Sequence, residues 1–227
     1  MKFEILYPGS YAMAKATLVQ GESIKAESGA MVSMSSTIDV EGKVDGGMWG
    51  ALKRTVLTGE SLFFQTLTAS RGPGEVYLAP SSVGDVVGIE LNGSNSVFLQ
   101  KEGFLAGDGG LSIEAVSQGF FKGFLSGEGM FIQQIKGKGS VLVSSFGAIH
   151  KVALAPGQTM VVDNSHLVAW TDTVQYEIQK ASSGWFSSVT SGEGLVCHVK
   201  GPGDVYFQTR NPGSFGQWIR RFIPSQG

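Results

Sequence analysis

Side chains able to do chemistry are few in this chain. Cys197 is followed by His198, which offers a thiol beside an imidazole, the pair used by cysteine nucleophiles and their bases. The other histidines are His150 and His166, and none of the three stands in an H-x-H, H-E-x-x-H or C-x-x-C context. A closed zinc site takes about four ligands, so no metal is expected. Three G-x-G triplets occur, Gly72-Pro73-Gly74, Gly137-Lys138-Gly139 and Gly201-Pro202-Gly203. A phosphate cradle needs a strand, then glycines, then a helix N-terminus. Here a β-type run follows each triplet, so the glycines read as turns and no cofactor is expected. Asp108, Asp163, His166 and Asp172 have no matching residue elsewhere in the chain, and any enzymatic site would have to draw on such residues.

Two charged sets are more regular. Glu60, Glu128 and Glu193 occupy the same place in a recurring phrase, and Arg71, Lys136 and Lys200 follow them at the next one. Arranged about a pseudo-threefold axis, each set would form a ring that binds a ligand or locks an assembly. The plainer alternative is charge that keeps turns soluble and blunts strand edges.

The elements that position these residues come from the phrases themselves. TGESLFF from Thr58, SGEGMFI from Ser126 and SGEGLVC from Ser191 are followed by RGPGEVYL, KGKGSVLV and KGPGDVYF. Gly74, Gly139 and Gly203 are 65 and 64 residues apart. Two ordered phrases at one period indicate internal duplication, with copies over about 20–91, 92–155 and 156–210 of a single domain, 1–227. Val76–Leu78, Val141–Val143 and Val205–Phe207 have strand composition. With the G-x-G as a tight turn, each copy is expected to contain a β-hairpin, the first running from Leu62 to Leu67 and back over Val76 to Leu78. On this phrase alignment Cys197 matches Ile132 and Phe64, while His198 matches Gln133 and Gln65. Cys197 then points inward as a core filler and His198 outward. Helix signals are confined to 48–57 and to 215–223. In the latter Ser214 is the expected N-cap, and Phe215, Trp218, Ile219, Phe222 and Ile223 share one face before Pro224. The expected fold is therefore all-β: three pseudo-symmetric, hairpin-containing repeats in one compact body with a short C-terminal helix.

Composition narrows the function classes. The 227 residues include 33 glycines, about twice ordinary usage, spread among apolar runs. The net charge is −2, with 17 basic against 19 acidic residues. A dedicated nucleic-acid binder carries a basic excess, so nucleic acid is not an expected partner. One cysteine excludes an intrachain disulfide and suits a reducing compartment. The first ten residues lack the apolar segment of a signal peptide, and no apolar run approaches bilayer length, so a cytoplasmic location is expected.

The glycine–glutamate–aromatic phrases, each followed by G-x-G and a β run, resemble the altered-inheritance-of-mitochondria protein 24 family, also called domain of unknown function 124. The resemblance covers about residues 1–220. It implies compact β-layers like those of the tryptophan RNA-binding attenuator protein, here tripled in one chain. It implies no reaction and no catalytic residues, since the family has none established. A yeast relative is tied to mitochondrial inner-membrane organisation. This chain has no transit-peptide pattern, so a bacterial member is expected.

Aromatic side chains outside the strands complete the candidates: Trp49 in the first copy, Phe120, Phe121 and Phe124 in the second, Trp185 and Phe186 in the third, then Phe215, Trp218 and Phe222 of the helix. They either close over the sheet ends, form contacts between subunits, or touch a membrane surface. The favoured function is a non-enzymatic, homo-oligomeric binding or scaffold protein, with an unidentified protein or small molecule as partner. An enzyme with a site in one repeat is the first alternative. RNA binding, by fold analogy alone, is the second.

Overall fold

A computed structural model of the chain describes residues 1–43, 64–100, 102–116, 132–180 and 195–224. The described residues form seventeen strands and one helix. The first group is β1 (Lys2–Leu6), β2 (Met13–Leu18), β3 (Ser23–Glu27), β4 (Met31–Met34), β5 (Asp39–Lys43), β6 (Phe64–Thr68) and β7 (Gly74–Leu78). The second is β8 (Val86–Gln100), β9 (Phe104–Asp108), β10 (Ser112–Val116) and β11 (Ile132–Ser144). The third is β12 (Ile149–Leu154), β13 (Thr159–Asp163), β14 (Leu167–Thr171), β15 (Gln175–Lys180), β16 (Leu195–Lys200) and β17 (Gly203–Gln208), followed by α1 (Pro212–Arg220).

Side-chain alternation makes these strands. In β2, Ala14, Ala16 and Leu18 are fully buried while Met13, Lys15 and Thr17 between them are not. β9 and β14 break the alternation, because Phe104–Ala106 and Leu167–Trp170 are buried without interruption. Both strands are paired on both edges, β9 between β11 and β3, β14 between β17 and β8. Such enclosed strands read as continuous apolar runs.

The same four antiparallel pairings occur in three consecutive stretches. In the first they are β2 with β7, β3 with β6, β4 with β7 and β5 with β6. In the second the two halves of β8 pair with the two halves of β11, and β9 and β10 add to β11. In the third they are β12 with β17, β13 with β16, β14 with β17 and β15 with β16. The irregularities coincide as well. One bulged residue stands at Val32, Leu105 and Val168, each in the corresponding strand. The first of these pairings involves β2. The ten-stranded sheet draws strands from all three stretches, in the order β12-β17-β14-β8-β11-β9-β3-β6-β5, with β10 beside β11.

The hairpin expected across each G-x-G is not formed. β6 and β7 are in different sheets, as are β16 and β17, and the second stretch runs through Gly137–Gly139 as one bent strand, β11. The cause is the glycine conformation. Gly72, Gly139 and Gly203 have φ of 149°, 143° and 141°. A two-residue hairpin turn needs φ much nearer +60 to +90°, roughly, at its left-handed positions. Around Gly72 and Gly203 the chain instead passes from one sheet into another, and at Gly137–Gly139 the single strand β11 shifts register. The sequential partners are β5 with β6, β10 with β11 and β15 with β16. Their connections, and the helix expected over 48–57, lie outside the described residues.

The C-terminal helix begins earlier than its apolar face suggests. Asn211, not Ser214, is the N-cap: its Oδ1 accepts the Ser214 N–H at 3.0 Å, and Pro212 takes the first helical position. Phe222, Ile223 and Pro224 lie beyond the last helical residue, Arg220.

Candidate functional site

Cys197 and His198 do not form a pair. Cys197 is fully buried in β16, and its Sγ–H points to Asn164 Oδ1 at 3.4 Å, while His198 is exposed on the opposite side of the strand. Burial, with the charge of Asp163 adding to it, pushes the thiol up to about 12. The phrase alignment is out by one residue here. Thr68, Lys136 and Lys200 share the same flanking positions: Ser23 and Asp39, Ser96 and Ser112, Thr159 and Gln175. That places Cys197 level with Gln133 and Gln65 and not with Ile132 and Phe64. Gln133 is also buried, at 2% exposure. The core position is thus real, although the residues used to infer it were its neighbours.

A measurable consequence follows from the raised thiol. An unfolded cysteine titrates near 8.5, roughly. Between that value and about 12 the unfolded chain loses a proton that folded Cys197 keeps. Stability from this group is therefore intact below pH 8.5 or so and declines above it, by at most about 1.4 kcal/mol per pH unit. Cys197→Val is expected to flatten the decline in denaturation curves between pH 8.5 and 10. Native protein is expected to react with iodoacetamide at pH 8 orders of magnitude more slowly than urea-unfolded protein.

The three basic residues sit in different local settings. Arg71 pairs with Asp39 at 2.9 Å and donates to the Ser36 and Ile38 carbonyls at 2.6 and 3.2 Å, closing the corner before β7. Lys136 pairs with Glu114 of adjacent β10 at 3.0 Å. Lys200 is exposed at the end of β16. Arg71 stands three residues beyond the position equivalent to Lys136 and Lys200, which Thr68 occupies. Glu60, Glu128 and Glu193 lie outside the described residues.

The unmatched polar residues hold backbone. Asp108 accepts from Ser140 N at 2.6 Å. Asp172 accepts from Ser96 N and Oγ at 2.7 and 3.0 Å. Asp163 accepts from Ser165 N and Oγ at 2.9 and 2.7 Å, and His166 Nδ1 lies 2.7 Å from the Gln208 carbonyl. A cleft of about 310 Å³ opens between Gln100, Gly103, Ser144, Ser165 and Asn211. Its amides and hydroxyls are used internally: Gln100 Nε2 donates to Asn164, Ser144 Oγ to Glu102 O, Gln208 Nε2 to Ser165 O and Asn211 Nδ2 to Ser165 Oγ. Among the described residues no cluster of three or more His, Cys, Asp or Glu has metal-site geometry.

The helix gathers an aromatic face. Phe215 stacks on Trp218 at 5.9 Å, Trp218 meets the edge of Phe222 at 5.1 Å, and Phe146 touches Phe215 at 5.2 Å. Phe215, Trp218 and Phe222 remain 45%, 53% and 68% exposed, and no residue of α1 is buried. Phe146 was not legible as part of this group, since it stands alone beside Gly147, far from the helix in sequence. Trp49, Phe120, Phe121, Phe124, Trp185 and Phe186 lie outside the described residues. No helix among the described residues is long and apolar enough to cross a membrane.

The described residues define an all-β body with recurring antiparallel strand pairings. The chain matches the family model "Mitochondrial biogenesis AIM24" over residues 3–210, and it belongs to that family. An uncharacterized protein of Streptococcus pyogenes serotype M6 is 32% identical over 232 residues, covering 99% of this chain and 92% of the relative. A crystal structure of a Streptococcus pyogenes protein, also 32% identical, superposes with a TM-score of 0.82 over 98% of this chain and 99% of that one.

Proposed function

We propose that this protein is a non-enzymatic, self-associating scaffold built from three diverged copies of one strand unit, working in a reducing compartment. The observation that carries the reading is the aromatic face of α1. Phe215, Trp218 and Phe222, on the helix and the turn that follows it, touch one another and stay 45–68% exposed, with Phe146 meeting only Phe215, and Ile223 beside them in sequence is 61% exposed. Monomers rarely leave such a group in water, because each large apolar side chain gains about 1.5–3 kcal/mol on burial. A second copy of the chain is the occupant proposed. Recurring strand units support that choice, since they offer the same edges repeatedly to like molecules. The polar residues that could serve an enzyme are occupied in holding turns.

Sedimentation velocity at micromolar concentration tests the reading. The intact chain is expected to assemble, and Trp218→Glu with Phe222→Glu is expected to weaken that assembly at least tenfold with the circular dichroism spectrum unchanged. Both positions are solvent-facing in the single chain, so the variant should fold. Equal assembly of variant and parent would remove α1 from the contact.

A further inference from the structure

The three stretches are joined to one another by a specific contact, and among the described residues that contact is made twice. A strand of the β3 type receives a strand of the β4 type from the next stretch. Thus β3 pairs with β9 through Ile24↔Asp108, Lys25↔Gly107 and Ala26↔Ala106. In the same way β8 pairs with β14 through Val97↔Thr171, Phe98↔Trp170 and Leu99↔Ala169. Each stretch contributes one strand of either type, so a third such contact would use β13 and β4. Among the described residues β13 pairs with β16 alone and β4 with β7 alone, and both are terminal strands of their sheets.

Register equivalence gives the missing pairing residue by residue. Ile24, Val97 and Met160 face Leu67, Ile135 and Val199, which stand at equivalent places. Met31, Phe104 and Leu167 are likewise equivalent through Leu78, Val143 and Phe207. The third contact therefore runs Met160↔Ser35, Val161↔Met34 and Val162↔Ser33. At the second contact the central pair is Phe98 and Trp170, whose rings stack at 5.7 Å. At the third it is Val161 and Met34, left 58% and 37% exposed. The bulged residues tell the same story: Leu105 and Val168 are 0% and 3% exposed, whereas Val32 is 56% exposed. An open groove of about 300 Å³ runs beside β13, lined by Met160, Val161, Val162, His166 and Phe207.

These two edges also lack the protection given to the others. The remaining terminal strands and β10 carry charge within the strand: Lys2 and Glu4, Glu41, Glu114, Lys151, Glu177. Charge on an edge discourages pairing with another chain. Met31–Met34 has none, and the single charge of β13, Asp163, is engaged by Ser165. We propose that β4 of one molecule pairs antiparallel with β13 of a second copy, in the register above, so that the contact made twice within the chain is completed between chains. The inference deepens the self-association proposed above and rests on it. Because the two edges differ, the contact is head-to-tail, and it propagates into a ring or a filament.

Cysteine pairing tests it in a Cys197→Val background. Met34→Cys chains mixed with Val161→Cys chains under mild oxidation are expected to give a disulfide-linked heterodimer. Met34→Cys mixed with Thr159→Cys, two residues out of register, is expected to give at least tenfold less, because the α-carbons then lie too far apart to bridge. Val161→Lys in the parent chain is expected to weaken assembly at least tenfold. A monomeric, internally linked product from one chain carrying both cysteines would overturn the proposal, since the edges would then close within the molecule. Assembly of the parent chain with no cross-link at the predicted register would also overturn it, while leaving the scaffold reading intact. A monomeric parent chain would sink both.

Discussion

Replacing Trp170 by alanine is expected to lower stability by about 3–5 kcal/mol, the range for deleting a large buried aromatic. At about 2–4 °C per kcal/mol for a chain of this size, the melting temperature should drop by roughly 6–20 °C. Trp170 is fully buried in β14, between β17 and β8. It stacks on Phe98 at 5.7 Å and meets Tyr176 at 4.6 Å, so its loss opens the contact between the second and third stretches as well as a local core. Among the described residues no acceptor reaches its Nε1, which is buried. Trp170→Phe keeps much of the ring packing and removes that buried donor, so its cost should stay below about 1.5 kcal/mol. Thermal unfolding of the two variants checks this. Equal losses would mean that the ring contacts are not what Trp170 contributes.

Gly203→Ala should be nearly as damaging, with a loss of about 3 kcal/mol from conformational strain and collision together. Gly203 has φ of 141°, and an added Cβ would lie 2.5 Å from Thr171 Oγ1, 2.6 Å from Thr173 Oγ1 and 2.7 Å from Val174 Cγ2. Gly157→Ala is the control. Its φ of 79° is also left-handed, but nothing lies within 4 Å of the added carbon, so only the conformational cost of about 1–2 kcal/mol applies. Denaturant unfolding of both variants separates close packing from backbone conformation. If the two lose the same amount, the corner glycines are required for conformation alone.

The contrast between these glycines marks how far the sequence could be read. The type of element was legible, because β-branched and aromatic runs after each G-x-G have few other uses. The partner of each strand was not. A glycine at 141° and one at 60° are the same letter, yet the first sends Val205 into a different sheet and the second would have folded it back on Val199. Cys197 shows a finer limit. The phrase alignment sets it level with the apolar Ile132, but the strand register sets it level with Gln133. The aromatic face of α1 was visible in the spacing of Phe215, Trp218 and Phe222. Its cap was misplaced because Asn211-Pro212 starts the helix a turn before the apolar face begins. The edges β4 and β13 are marked in the sequence only by their shortage of charge. The pairing of the other described strands is what shows that, among the described residues, each of these two is paired on one side alone.

Self-association is the property on which the functional account stands, and the mass of the intact chain in solution tests it most directly. Sedimentation equilibrium at micromolar concentration and physiological salt is expected to return a mass that is a multiple of the 24.0 kDa chain and rises with concentration until the assembly closes. A single species of 24.0 kDa across that range would contradict the account.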